Sequence, residues 1–357
     1  MTKVALIFVN YRDYIDKYIE DCLKSLRLQT YPADMFQSYI VDNESSSSSK
    51  DFISKNWPEA KILERPDGNY SAANRLGIEQ AKKDGFELFV LVNLDVKLDK
   101  DWLKELVTAV ESDDSIGIAQ SKLLLFDKSN PEDPKINSIG NGLHYLGFGY
   151  TNGYNKLNSE VTFKDEFPEI LGYSSGCSLI IKKEVIEKIG NYDPEYYMYH
   201  DDIEVSWKSK LAGYKIVLAP KSIIFHKYQF SRSIQMFYYM ERNRYLAVYS
   251  FYKIPTIILL LPMLLFMELG LIFHAIFNNE LKTRWKIFKY FCRISSWQHI
   301  RNVRRKIKRI RQVKDKDLLI NFSGVLLYQE QSNPLLEYIA NPVTNLYKKV
   351  IEKIIFW

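Results

Sequence analysis

Asp201, Asp202 and Glu204 stand within four residues of one another, just ahead of Trp207 and Lys208, and a single histidine, His226, closes the segment 196–226. Carboxylates this close repel, so grouping them is favoured where a cation or a proton-transfer role uses them, or where a helix N-terminus supplies a compensating dipole. Both readings are open from this segment alone. Asp95 offers a second acid, placed after the apolar run 86–92 and after Asn93 and Leu94. A carboxylate there can bind a divalent cation that neutralises a nucleotide diphosphate, or can cap a helix starting near Lys100. Asp42 and Asn43 can hydrogen-bond a base or ribose, or form an Asx-turn ahead of the serine run 45–49. His226 is a candidate metal ligand or a packed imidazole.

These residues need elements to position them. The β-branched run 4–9 reads as a central strand covered on both faces, followed by a helical stripe at Ile15, Ile19, Cys22, Leu23 and Leu26 within 13–28. Strands at 39–41, 61–63 and 86–92 alternate with helices, including one at 71–83. That alternation predicts an α/β fold with a mostly parallel sheet flanked by helices, whose ligands sit beyond the carboxyl ends of the strands. Asn10, Asp42 and Asp95 fall at three such ends. Between 122 and 170 glycines and prolines break the pattern, and this stretch is expected either to shape an acceptor pocket or to lack fixed order. A strand at 179–181, a helix at 183–189, and two short strands at 216–219 and 222–225 follow, the last ending on His226.

With 357 residues, 46% apolar and 26% charged, the chain has material for one large catalytic domain with an appendage. Cys22, Cys177 and Cys292 are too few and too scattered for a disulfide framework or a zinc pattern, which fits a reducing, cytoplasmic setting. The apolar start is too short and too soon charged for a signal peptide and reads as a buried strand. The net charge of +6 is uneven, with the acids early and the bases after Lys282.

Taken in series, these residues resemble the family-2 glycosyltransferases of the GT-A fold, in particular a rhamnosyltransferase-like branch related to galactofuranosyltransferases. The resemblance rests on Asn10-Tyr11, Leu28-Gln29-Thr30-Tyr31-Pro32, Val41-Asp42-Asn43, the stretch 67–77 with Asn74 and Gly77, and Asn93-Leu94-Asp95. It continues through 172–177, Asn191-Tyr192-Asp193, 200–204 and Ala212-Gly213-Tyr214. It implies a catalytic domain over 1–230, with a nucleotide-sugar half at 1–120 and an acceptor half at 121–230. Asn10, Asp42, Asn43, Asn74, Asn93 and Asp95 would bind the dTDP- or UDP-sugar donor. Asp95 and His226 would hold Mn2+ or Mg2+. Tyr173, Gly176, Cys177, Asp201 and Glu204 would meet the acceptor, and Asp202 would be the general base of an inverting transfer. The chain departs from the pattern at Asn93, where many members carry an acid, at Asp201, where glutamate is common, and at Lys208, where arginine is common. A galactofuranosyl or other hexosyl donor, or a catalytically idle transferase-shaped scaffold, are the alternatives.

The region 231–357 is expected to be helical, basic and membrane-associating. Its segment 254–277 is long enough to span a bilayer but is interrupted by Pro255, Pro262, Glu268 and His274. The following block 282–311 contains many Lys and Arg and no acid. A single span would export that block away from the nucleotide-sugar side, against the positive-inside rule. A re-entrant or interfacial helix bent near Pro262 keeps both on one side. The expected partners are therefore a nucleoside-diphosphate sugar, a lipid-linked oligosaccharide and an anionic membrane surface at the cytoplasmic face. A homo-oligomer is compatible and nucleic acid is not expected. The tail 318–357 reads as helical packing or a partner surface.

Overall fold

The computed structural model of the chain describes residues 1–127, 130–227, 237–278, 280–327 and 334–357. Strands β1 (Val4–Tyr11), β2 (Phe36–Asn43), β3 (Lys61–Arg65) and β4 (Leu88–Val92) pair in parallel in the order β3-β2-β1-β4. Helices α1 (Tyr14–Leu26), α2 (Ser47–Asn56) and α3 (Tyr70–Lys83) connect them. The serine run opens α2 rather than a loop. Ser46 Oγ accepts from the Ser49 amide at 3.1 Å and Ser49 Oγ accepts from the Ser46 amide at 3.0 Å, a reciprocal cap. Gly77 lets α3 lie directly on β1, since a Cβ there would meet Ile7 Cγ2 at 2.5 Å.

Beyond β4 the sheet continues through β10 (Ser178–Lys182), β6 (Ile116–Leu125), β11 (Lys215–His226) and β5 (Val96–Leu98), with β7 (Ile136–Ser138) on β6 and a separate hairpin of β8 (Asn141–Leu143) and β9 (Gly149–Thr151). This half is mixed rather than parallel: β10 runs antiparallel to both β4 and β6, and β5 antiparallel to β11. The reason lies in the path of the chain. It returns at the ligand edge through Gly176 and Cys177, so β10 must run back down the sheet. The expected pair of strands before His226 is one strand with a register shift between Ala219 and Ile223, where Pro220 has no amide for the ladder. Helix α4 (Trp102–Glu111) is fastened beneath this half. Trp102 Nε1 donates to Ser121 and Ser178 hydroxyls at 3.0 Å each, and Ser222 Oγ donates to the Trp102 carbonyl at 2.8 Å.

Two cores cover the sheet, one carrying Ile15, Ile53 and Leu106, the other Ala73, Ile78 and Val185 from α3 and α5 (Lys183–Ile189). A third core joins α6 (Asp201–Leu211), α7 (Phe237–Phe251), α8 (Ile254–Phe277), α9 (Leu281–Phe291), α10 (Ile294–Ile310), α11 (Asp315–Asn321) and α12 (Asn341–Ile354). The described residues of the irregular stretch 122–170 are ordered and part of them floors this core: Leu143, Tyr145 and Leu146 are buried, and the Tyr145 amide donates to the Ser323 carbonyl at 3.0 Å. Among the described residues of the tail, Leu319, Phe322 and Ile351 are buried in the same core. The expected boundary at 230/231 lies outside the described residues. On either side of it, Trp207 of α6 and Phe251 and Tyr252 at the end of α7 pack ring against ring.

Helix α8 is unbroken through Pro262, so the expected bend there does not interrupt it. Leu260, Leu264 and Met267 are buried while Leu265, Leu269, Phe273 and Phe277 are exposed. Among the described residues it is the one helix long and apolar enough to cross a membrane. Glu268 within it faces the protein, accepting from the Tyr245 hydroxyl and lying 3.6 Å from Arg284.

Trp102→Phe keeps the aromatic ring but removes the indole donor from Ser121 and Ser178, whose hydroxyls keep each other at 2.7 Å and Ser222 at 2.9 Å. The expected loss is about 0.5–1.5 kcal/mol of unfolding free energy in urea, with the slope of the transition unchanged.

Candidate active site

The parallel register sets Asn10 beside Asp42 at the ends of β1 and β2. Asn10 Nδ2 donates to Asp42 Oδ1 at 2.7 Å, Ser49 Oγ donates to Asp42 Oδ2 at 2.7 Å, and Asn10 Oδ1 accepts from the Ile15 amide at 2.9 Å. Both side chains are fully buried. Asp42 and Asn10 were expected to contact the nucleotide; in this structure their polar atoms instead join β1, β2, α1 and α2 and fix the shape of the ligand edge. Asn43 and Asn74 differ. Asn43 Oδ1 is buried without a hydrogen-bond partner, the condition of a group awaiting a polar ligand, and the Asn74 amide lies by the Tyr70 hydroxyl. Asn93 Oδ1 accepts from the Tyr70 hydroxyl at 3.3 Å.

The antiparallel pairing of β11 with β5 puts His226 opposite Val96, next to Asp95. His226 Nε2 lies 3.4 Å from Asp95 Oδ1, and its Nδ1 donates to Asn137 Oδ1 at 2.8 Å. The second hydrogen bond orients the ring so that Nε2 faces the carboxylate, as metal-ligating histidines are held. The Tyr14 hydroxyl donates to the other oxygen of Asp95. Burial lowers the His226 pKa, but Cys177 and Asp95 outweigh it and raise it to about 10. Among the described residues no three His, Cys, Asp or Glu side chains gather as a complete metal cage. The donor set fits a divalent cation held by one carboxylate and one imidazole, with its remaining positions open to oxygen ligands.

The acidic cluster opens α6, with Asp201, Asp202 and Glu204 all in its first turn. Asp202 Oδ1 accepts from the Ile203 amide at 2.8 Å and Oδ2 lies 3.4 Å from the Gly176 amide. Burial pushes the Asp202 carboxyl up to about 6, opposed by those amides. Burial and then the charge of Asp202 raise Asp201 well above the usual carboxylate range. Glu204 does not join them. Two residues apart on a helix is a rotation of about 200°, and its carboxylate sits 2.5 Å from buried Lys208 Nζ. Lys208 in turn donates to the Asn191 carbonyl at 3.2 Å. Expected at the acceptor, Glu204 braces the 191–193 turn instead. Cys177, also expected at the acceptor, is buried on the metal side, against His226. Tyr173 pairs its backbone with Asn141 and its ring packs on the third core. Gly176 and Cys177 thus join the two parts of the site: one meets Asp202 and the next meets His226.

The turn before Asp201 is strained, and its support was not foreseen from the sequence. Tyr197, Tyr199 and His200 all have left-handed backbones, with φ of 63°, 60° and 61°. For side chains of this size that costs on the order of 1–3 kcal/mol each. Asn243 of α7, fully buried, donates its Nδ2 to the carbonyls of Tyr196, Met198 and Tyr199 at 2.7–2.9 Å. Arg242 reaches the Glu195 and Tyr196 carbonyls at 2.5 and 3.1 Å. In the sequence the run 242–244 carries no motif and reads as three polar residues ahead of the apolar segment 254–277. Asn137 and Tyr14 were likewise silent, since a single Asn or Tyr carries no motif.

A sheet with a parallel half and a mixed half, flanked by helices, is a GT-A-type fold. The chain belongs to glycosyl transferase family 2, which it matches over residues 4–190. It is 22% identical over 263 residues to the low-salt glycan biosynthesis hexosyltransferase Agl10 of Haloferax volcanii, covering 70% of this chain and 76% of that one. It is 25% identical over 240 residues to the O-antigen biosynthesis protein RfbC of Myxococcus xanthus, covering 64% of this chain but 18% of RfbC. The crystal structure of GalNAc-T7 with UDP, GalNAc and Mn2+ shares the fold, with a TM-score of 0.51 and 15% identity over 64% of this chain and 44% of that one.

Asn243→Ala releases the strained turn without touching the strand ends. Its kcat should fall roughly 10–100-fold while the donor KM moves by about twofold or less. An equal loss in donor KM and kcat would place the effect in general unfolding of the site.

Proposed function

We propose that this chain is an inverting, metal-dependent glycosyltransferase that moves a sugar from a nucleoside-diphosphate donor to a hydroxyl of a lipid-linked glycan during surface-polysaccharide synthesis. The observation that carries the reading is the Gly176-Cys177 pair, which sets a half-buried carboxylate of raised pKa beside an Asp–His pair at the carboxyl ends of the strands. Asn43, Asn74 and Asn93 line the donor side, on the edge that Asn10 and Asp42 hold in shape. Asp95 and His226 are the residues that would hold Mn2+ or Mg2+, and a bound cation would neutralise the departing diphosphate. Asp202 takes the acceptor proton as the hydroxyl oxygen attacks the anomeric carbon and the bond to the diphosphate breaks, inverting the configuration. The acceptor side of that base falls to its neighbour Asp201 and to Gly176, whose amide approaches Asp202, with Tyr173 three residues before it.

The donor sugar follows from the branch this sequence resembles, which favours rhamnose on dTDP or UDP, with galactofuranose or another hexose as the second choice. The hexosyltransferase Agl10 and the O-antigen protein RfbC support transfer in glycan assembly. The exposed apolar face of α8 beside the basic α10 supports a peripheral or monotopic seat on an anionic membrane, at the cytoplasmic face where nucleotide sugars are made.

The test is product formation across a panel of nucleotide sugars with and without manganese. A base whose pKa is raised is lost on the acid side earlier than an ordinary carboxylate, so kcat/KM should fall tenfold per pH unit below about 6. Asp202→Asn should abolish transfer and leave donor binding, read by calorimetry, nearly intact. Normal turnover by that variant would remove Asp202 from the mechanism, and no turnover with any donor would favour a scaffold.

A further inference from the structure

A groove of about 950 Å³ runs between the start of α8 and α10, away from the acidic cluster. Its two walls differ in chemistry. Ile254, Ile257 and Leu261 recur at helical spacing along one face of α8, and Ile254 and Leu261 are exposed. Across from them, Arg301, Arg305 and Lys308 recur along one face of α10, all exposed. No acid lines the groove among the described residues, and these three cations make no ion pair there. The deeper cations are engaged elsewhere. Arg304 donates to the Tyr249 and Tyr252 carbonyls at 2.5 and 2.7 Å, and Arg311 pairs with Asp315 at 2.6 Å. Three cations without an ion pair therefore face an aliphatic wall. That wall continues without interruption into the exposed stripe of Leu265, Leu269 and Phe273, so a chain in the groove would extend onto the apolar face of α8.

We propose that this groove is a binding site for one membrane lipid with a phosphate head, the phosphate lying on Arg301, Arg305 and Lys308 and the hydrocarbon along Ile254, Ile257 and Leu261. The proposal rests on the membrane-seated reading above and sharpens it from a diffuse surface to a discrete site. An anion alone would have no use for the aliphatic wall, and a neutral lipid none for the cations.

The test is sedimentation of the full chain with phosphatidylcholine vesicles, with and without added phosphatidate. Phosphatidate should tighten binding about tenfold. Arg301→Gln with Arg305→Gln should lose most of that gain. Lys306→Gln with Arg309→Gln, which removes the same charge from the same helix outside the groove, should keep it. Leu261→Trp, which fills the aliphatic wall, should also lose the gain while still binding neutral vesicles. Equal loss in the two double variants would mean a diffuse basic surface and overturn the site, as would full competition by inorganic phosphate. Binding to neutral vesicles with no phosphatidate gain refutes the groove alone. Binding to neither vesicle refutes the membrane reading itself, and the groove proposal with it.

Discussion

Packing Asp201, Asp202 and Glu204 together at one helix start, with Asp201 and Glu204 buried and Asp202 half-buried, is the constraint that the rest of the structure answers. Each buried carboxylate costs several kcal/mol in lost hydration unless something local replaces the water. The molecule answers differently for each. Glu204 receives Lys208. Asp202 receives the Ile203 amide and the approach of Gly176. Asp201 is left with its own amide and a strongly raised pKa, the response expected of an acid with no cation beside it. The helix dipole favours all three, so the two readings of the cluster are not exclusive: the same N-terminus that tolerates the acids also aims one of them at the ligand edge.

How far this was legible depends on whether a feature was written locally. The parallel half was, because continuous β-branched runs and helical stripes are local signals; β1, α1, α3 and β4 form where the periodicity places them. The antiparallel β10 was not, because its direction follows from where the chain re-enters the sheet. The separation of Glu204 from Asp202 was available in principle, since a spacing of two cannot share a helix face. The internal satisfaction of Asp42 was not available, because it requires knowing that Ser49 lies at the start of a helix folded back on the strand end. Asn137 and Asn243 depend on contacts 89 and 44–47 residues away in the chain, and no pattern marks them.

Helix α7 ties these observations together. Near its middle Arg242 and Asn243 hold the carbonyls of the strained turn before Asp201, and at its end the carbonyls of Tyr249, Phe251 and Tyr252 are held by Arg304 and Arg311 at the groove. The same middle stretch is charged yet paired, with Arg244 and Arg284 both on Glu241. A helix that serves one site from its middle and another from its end, and whose body is locked by ion pairs that cannot slide without exposing a buried charge, transmits position rather than motion. The helical region therefore supports the acidic cluster: removing it would take Arg242 and Asn243 from the turn, leaving it the Ser71 amide on the Tyr197 carbonyl and the Gly147 carbonyl on His200, and the turn would relax towards ordinary backbone geometry at the expense of where Asp202 points.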